Sequence, residues 1–136
     1  MTLVKNFWLF LVWMGVILYL SFTPLSDWPK VTAFDKLYID KIIHVCMYSI
    51  LSFLLLRGIF RQQSNHLPRY PLVISSVLFC ALMGATIEFL QPKLTMYRQF
   101  EWMDMIANAS GAIGGYFLFS LLLKKQWLGI KWQPVN

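Results

Sequence analysis

The chain has 136 residues, 58% of them hydrophobic and only 13% charged, with a mean hydropathy of +0.58. The apolar share usual in soluble domains is roughly 45–50%, so this composition excludes a soluble globular protein and leaves a membrane protein. The net charge of +6 does not point to nucleic acid, because the basic residues lie in short segments between hydrophobic runs rather than as a stripe on a polar domain.

Four apolar runs follow in chain order, at 7–22, 42–60, 71–90 and 103–123, separated by segments rich in Pro, Lys, Arg, Asn and Gln. A span needs about 20 apolar residues, so four spans and short loops use up the length and 1–136 reads as one polytopic unit without a separate soluble domain. The first run follows Lys5 and resembles a signal peptide. The stretch after it, Ser21-Phe22-Thr23-Pro24, lacks a small-residue cleavage site, which predicts a retained signal anchor. Pro71 suits a first helical position, and Pro92 predicts that the third helix stops just after Gln91. Trp8, Trp28, Trp102 and Trp127 fall at or beyond span ends, where amphipathic rings favour the interface. Cys46 and Cys80 lie inside apolar runs without metal-ligand spacing and read as small core or lipid-facing residues.

The expected fold is an all-α, four-helix integral membrane bundle with both termini cytoplasmic. Lys5, Arg57, Arg61, Arg69, Lys124, Lys125 and Lys131 lie on the side that holds both termini and the loop between helices two and three, with no acid among them. The positive-inside rule makes that side cytoplasmic. All six acids (Asp27, Asp35, Asp40, Glu88, Glu101 and Asp104) lie on the other side, mixed with Lys30, Lys36, Lys41, Lys93 and Arg98.

Depth along each helix follows from the rise per residue. At about 1.5 Å per residue, Asp40 stands ~25 Å from Arg57, Glu88 ~28 Å from Arg69 and Asp104 ~30 Å from Lys124. Each separation is close to one hydrocarbon thickness of about 30 Å. The three carboxylates are therefore expected at one level beneath the outer boundary. His44 and Asn108 fall one turn deeper on the faces of Asp40 and Asp104, and Tyr48 one turn deeper again. An ionisable group at the helix centre costs roughly 2.5–3.5 kcal/mol on insertion scales and less near the interface, so these groups are expected to face the bundle interior and line an outward-opening polar pocket.

A purely structural reading stands beside this one. Asp40 and Asp104 suit the positive end of a helix macrodipole, His44 can be satisfied by Asn108, and Arg98 can pair with a carboxylate for folding alone. The convergence of three carboxylates, a His, a Tyr, an Asn and an Arg favours a functional site. In helix four, Gly111 and Gly115 form G-x-x-x-G on the face of Asp104 and Asn108, which predicts close packing against helix two or three, with homodimerisation through the same residues left open.

The ordered set DKxxH at Asp40 to His44 with Tyr48, ExxQ at Glu88 to Gln91, Arg98, and DxxxNxxG at Asp104 to Gly111 with Gly115 resembles the signature of the VanZ-like family. These are small polytopic bacterial membrane proteins named after a teicoplanin resistance protein. The resemblance implies a bacterial cytoplasmic (inner) membrane protein and, by name, an effect on susceptibility to glycopeptides that bind wall precursors outside the cell. It implies no established reaction. The motif positions carried over are Asp40, Lys41, His44, Tyr48, Glu88, Gln91, Arg98, Asp104 and Asn108.

Two functions are weighed on these residues. In the first, an envelope protein binds or modifies a lipid or lipid-linked wall or glycan headgroup. Lys41 and Arg98 meet phosphate or carboxylate, Asp40, Glu88, Gln91, Asp104 and Asn108 meet hydroxyl and amide groups, and Tyr48 is counted with the ligand-binding residues. In the second, an intramembrane hydrolase or transferase uses His44 as base or nucleophile oriented by Asp40, with Glu88 as acid and Arg98 opposite an anionic transition state. No G-x-S-x-G, H-E-x-x-H or P-loop is present. A divalent ion on His44, Asp40, Glu88 and Asp104 is a weaker reading, because one histidine among scattered carboxylates fits a salt-bridge network equally well, and neither metal nor cofactor is assigned. Membrane lipids or lipid-linked precursors are the expected partners. A transport path is disfavoured, because the inner halves of helices two and four are almost wholly apolar.

Overall fold

The structure, a computed structural model, describes residues 2–23, 33–63, 70–96 and 99–124. They form four helices, α1 (Thr2–Phe22), α2 (Ala33–Gln62), α3 (Tyr70–Leu94) and α4 (Trp102–Lys124). Each carries a stretch long and apolar enough to cross a membrane, at Leu3–Phe22, Tyr38–Gln62, Tyr70–Leu94 and Trp102–Lys124. The four expected spans and the all-α class are both present.

The helices outrun the apolar runs, most of all in α2, which begins at Ala33 rather than at 42. A helix need not end where the hydrocarbon does, because charged residues continue the i→i−4 ladder while their side chains reach water. Part of the segment between the first two apolar runs is thus helical. Its tryptophan and prolines, Trp28, Pro24 and Pro29, lie outside the described residues. The stop expected just after Gln91 is also corrected, since α3 passes through Pro92 to Leu94. A proline removes its own N–H from the ladder and crowds the carbonyl four residues back, here that of Glu88, but this near the helix end only two further residues have to follow it. The turn closes behind it through Thr95, whose N–H donates to Gln91 O at 2.9 Å and whose hydroxyl donates to the same oxygen at 2.7 Å.

α2 is the central element, touching α1, α3 and α4, and its most extensive partner is α4. The reason is the small-residue stripe of α4. A Cβ added to Gly111 or Gly115 would collide with the backbone carbonyls of Val45 and Ser49. The two backbones are therefore closer than any larger residue allows. Ser49 Oγ seals the contact by donating to Gly111 O at 2.9 Å. Within one chain, then, Gly111 and Gly115 are spent on α2. Opposite, Trp13 Nε1 of α1 donates to Met47 O of α2 at 2.9 Å, a bond that satisfies an indole in an apolar setting.

Two apolar clusters fill the bundle. One gathers Phe10, Ile17, Tyr48, Leu51, Cys80, Ile87 and Ala112, and the other Leu56, Phe60, Phe119 and Leu123. Large apolar side chains such as Leu11, Ile50, Phe79, Leu82, Phe117 and Leu121 stand exposed on the outside, as a lipid-facing surface requires. At one end Asn6 Nδ2 donates to Gln62 Oε1 at 2.9 Å, joining α1 to α2 near Arg57 and Arg61. At the other end Gln91 Nε2 of α3 donates to Ser21 O of α1 at 3.1 Å. The carboxylates gather at this second end.

Candidate functional site

Three helices deliver the polar side chains. On α2, Asp40 and His44 are one turn apart and share a face, with Lys41 about 100° around the axis. α4 brings Asp104 and Asn108 with the same one-turn spacing, and α3 brings Glu88 from its penultimate turn. The tight α2–α4 contact at Gly111 draws the two faces together just above it.

The upper layer centres on Lys41. Its Nζ donates to Asp104 Oδ1, donates to Glu101 Oε2 at 2.6 Å, and lies 3.4 Å from Asp40 Oδ2. One ammonium is shared by three carboxylates. The lower layer centres on His44, whose Nδ1 lies 2.8 Å from Asn108 Oδ1 and 3.7 Å from Glu88 Oε1. Its Nε2 faces Asp40 Oδ1 at 4.0 Å. With the Asn108 oxygen at hydrogen-bond distance from Nδ1, this arrangement favours the tautomer that carries its proton there. Nε2 is then the nitrogen available for chemistry in the neutral ring.

Exposure grades through the cluster. Side-chain exposure falls from 47% at Glu101 and 29% at Asp40 to 19% at Lys41, 12% at His44 and 7% at Asp104, so the cluster opens at Glu101 and closes inward. Glu88 and Asn108 are buried at its base. Tyr48, expected to line the pocket, is buried beneath them and forms the floor. Gly84 makes room for that floor, since a Cβ there would stand 2.8 Å from Asn108 Cβ and 2.9 Å from Tyr48 Cε1.

Of the residues singled out in the sequence, Asp40, Lys41, His44, Glu88, Asp104 and Asn108 come together. Gln91 is buried one turn beyond Glu88 and ties α3 to α1 instead. Arg98 lies outside the described residues. Glu101 joins the cluster although the motif reading passes over it. The signal for it was its place three residues ahead of Asp104, where its carbonyl accepts the Asp104 N–H at 3.1 Å and opens α4. The orienting hydrogen bond of His44 comes from Asn108, whereas Asp40 stands on the Nε2 side.

A sequence model of the VanZ/LLP1 family matches residues 1–123. The chain belongs to the VanZ/LLP1 family. With four apolar membrane-length helices it is a multi-pass membrane protein of the VanZ type. No curated protein and no solved structure matches the chain. The VanZ-like motif is thereby read in space: its DKxxH and DxxxN pieces are the two facing one-turn pairs, and its glycine pair is the hinge-free contact that presses them together.

Proposed function

We propose that this VanZ-family protein sits in the bacterial inner membrane with both termini cytoplasmic and binds, at its outer leaflet, the polar headgroup of a lipid or lipid-linked wall or glycan precursor. The observation that carries this reading is the graded cluster around Lys41, with one cation held by three carboxylates and open at its most exposed member, Glu101. A network that served folding alone gains little from opening toward the headgroup layer, where water already solvates its charges. An arriving phosphate or carboxylate would exchange with Glu101 on Lys41, the exposed partner that costs least to release. Hydroxyl and amide groups of the headgroup would meet Asp40 and Asp104.

Native mass spectrometry of the purified protein with anionic phospholipids and a prenyl phosphate tests this. Retention of the lipid that falls in Lys41→Met supports the reading, and equal retention by wild type and Lys41→Met opposes it.

The His44 geometry favours a second reading, an acid–base enzyme acting on the same headgroup. Asn108 and Glu88 hold the proton on Nδ1 and leave Nε2 as the base, with Asp40 beside it to stabilise the imidazolium formed. Turnover of a phospholipid or prenyl phosphate by protein in detergent, lost in His44→Ala, would establish it.

A further inference from the structure

The geometry points to a divalent-cation site formed by Asp40, His44 and Asp104, open on the side facing Glu101. One oxygen from each aspartate and a ring nitrogen of His44 lie within 4.8 Å of one another. With Nδ1 engaged by Asn108, the nitrogen offered is Nε2, on the side of Asp40.

Three independent features fit a metal. First, a metal-bound imidazole characteristically donates its other N–H to a carbonyl or carboxylate, which fixes the ring. The buried side-chain carbonyl of Asn108 does this at 2.8 Å, and Glu88 Oε1 flanks the same N–H at 3.7 Å. Asn108 is thus a second layer around the site. Secondly, among the described residues one ammonium, Lys41, is shared by three carboxylates, of which Glu101 and Asp40 reach water and Asp104 is nearly buried. Asp104 thus has only a share of one cation, and a divalent ion between it and Asp40 would complete its compensation. Thirdly, the donor set of two carboxylate oxygens and one imidazole nitrogen suits zinc or manganese, and three protein ligands leave a coordination position for water or an oxygen of a ligand.

Lys41 gives the site an unusual property. Its ammonium binds the same aspartate oxygens that a metal would use, so it is a resident competitor. Metal and lysine exchange: when an ion sits between Asp40 and Asp104, Nζ swings to Glu101 and the opening. Removing the ammonium should therefore tighten metal binding, whereas in a mere salt-bridge network its loss only weakens the fold.

The test is titration of the purified protein in detergent with Zn²⁺ by calorimetry and with Mn²⁺ by electron paramagnetic resonance, with no phospholipid added, so that the outcome is separate from the headgroup reading. Wild type is expected to take up one ion per chain, Lys41→Met to bind it more tightly, and His44→Gln and Asp104→Asn to lose saturable binding. Asn108→Ala is expected to weaken it about 10–100-fold. Absence of stoichiometric uptake by wild type at millimolar metal, or equal uptake by His44→Gln and wild type, overturns the proposal. Weaker binding in Lys41→Met that is folded by circular dichroism also overturns it. If that variant does not fold, wild type against His44→Gln and Asp104→Asn decides.

Discussion

His44 Nδ1 on α2 lies 2.8 Å from Asn108 Oδ1 on α4, so a partly accessible ring is held by a fully buried amide. This cross-helix bond links packing to chemistry. It depends on the close approach of the two helices at Gly111, and it decides which ring nitrogen faces the opening. Asn108→Ala leaves the ring N–H beside Glu88 alone and opens space under it. The expected cost is about 1–3 kcal/mol, the range for a buried group that loses its partner. Reversible unfolding in mixed micelles measures it. A double-mutant cycle with His44→Ala is expected to show coupling above about 0.5 kcal/mol, as for residues in contact.

The glycines of α4 make a sharper comparison with α1. Gly111→Ala and Gly115→Ala both drive a Cβ into α2 backbone, which cannot yield as a flexible side-chain tip can. Each is expected to destabilise by about 1–3 kcal/mol or more, as overpacking does. Gly15→Ala meets nothing within 4 Å. It is expected to be neutral or stabilising by up to about 1 kcal/mol, from reduced backbone freedom. Thermal denaturation of the three variants in one detergent gives the ranking.

The carboxylates around Lys41 differ in burial, and so in worth. Asp104 has 7% of its side chain exposed and Glu101 has 47%. Breaking a buried pair by removing one partner costs about 3 kcal/mol at the low end, whereas an exposed pair contributes about 0–1 kcal/mol. Asp104→Asn is therefore expected to destabilise markedly and Glu101→Gln hardly at all, in the same unfolding assay. High salt should reduce the small Glu101 effect and leave the Asp104 effect nearly intact.

Much of this site is legible from spacing. The rise per residue brings Asp40 and Asp104 to one level, and the one-turn offset of His44 and Asn108 places them beneath; Glu88, expected level with the aspartates, instead lies in the lower layer beside His44. The α2 and α4 levels hold because the close contact at Gly111 fixes the two helices in register, whereas path length along α3 does not carry how that helix is set against them. What spacing does not carry is rotation about each axis and competition between partners. Tyr48 shares the Asp40–His44 face, yet the void at Gly84 lets its ring sink under Asn108 rather than line an opening. Gln91 shares a motif with Glu88 but is drawn to Ser21 of α1. Glu101 precedes its helix and has no depth on that scale. The ends of α2 and α3 miss for another reason: hydropathy reports where lipid ends, and backbone hydrogen bonding carries the helix past that point.

Orientation is open to direct measurement. Arg57, Arg61, Lys5 and Lys124 occupy the end away from the carboxylates, and the positive-inside rule predicts a cytoplasmic location for that end. A reporter that is active only in the cytoplasm should function when fused to either terminus, and one that needs export should function only when placed between α1 and α2 or between α3 and α4. The reverse pattern would turn the Lys41 cluster toward the cytoplasm and move the ligand to the inner leaflet.

The most direct test of the central claim, that the Lys41–His44 cluster binds or modifies a lipid headgroup and so shapes the membrane's lipid population, is the membrane lipid profile of cells lacking the protein and complemented with wild type, His44→Ala or Glu88→Gln at equal membrane abundance. The expected result is a headgroup species that changes on deletion, returns with wild type and does not return with either variant. A profile unaltered by deletion, or one restored equally by all three, would contradict it.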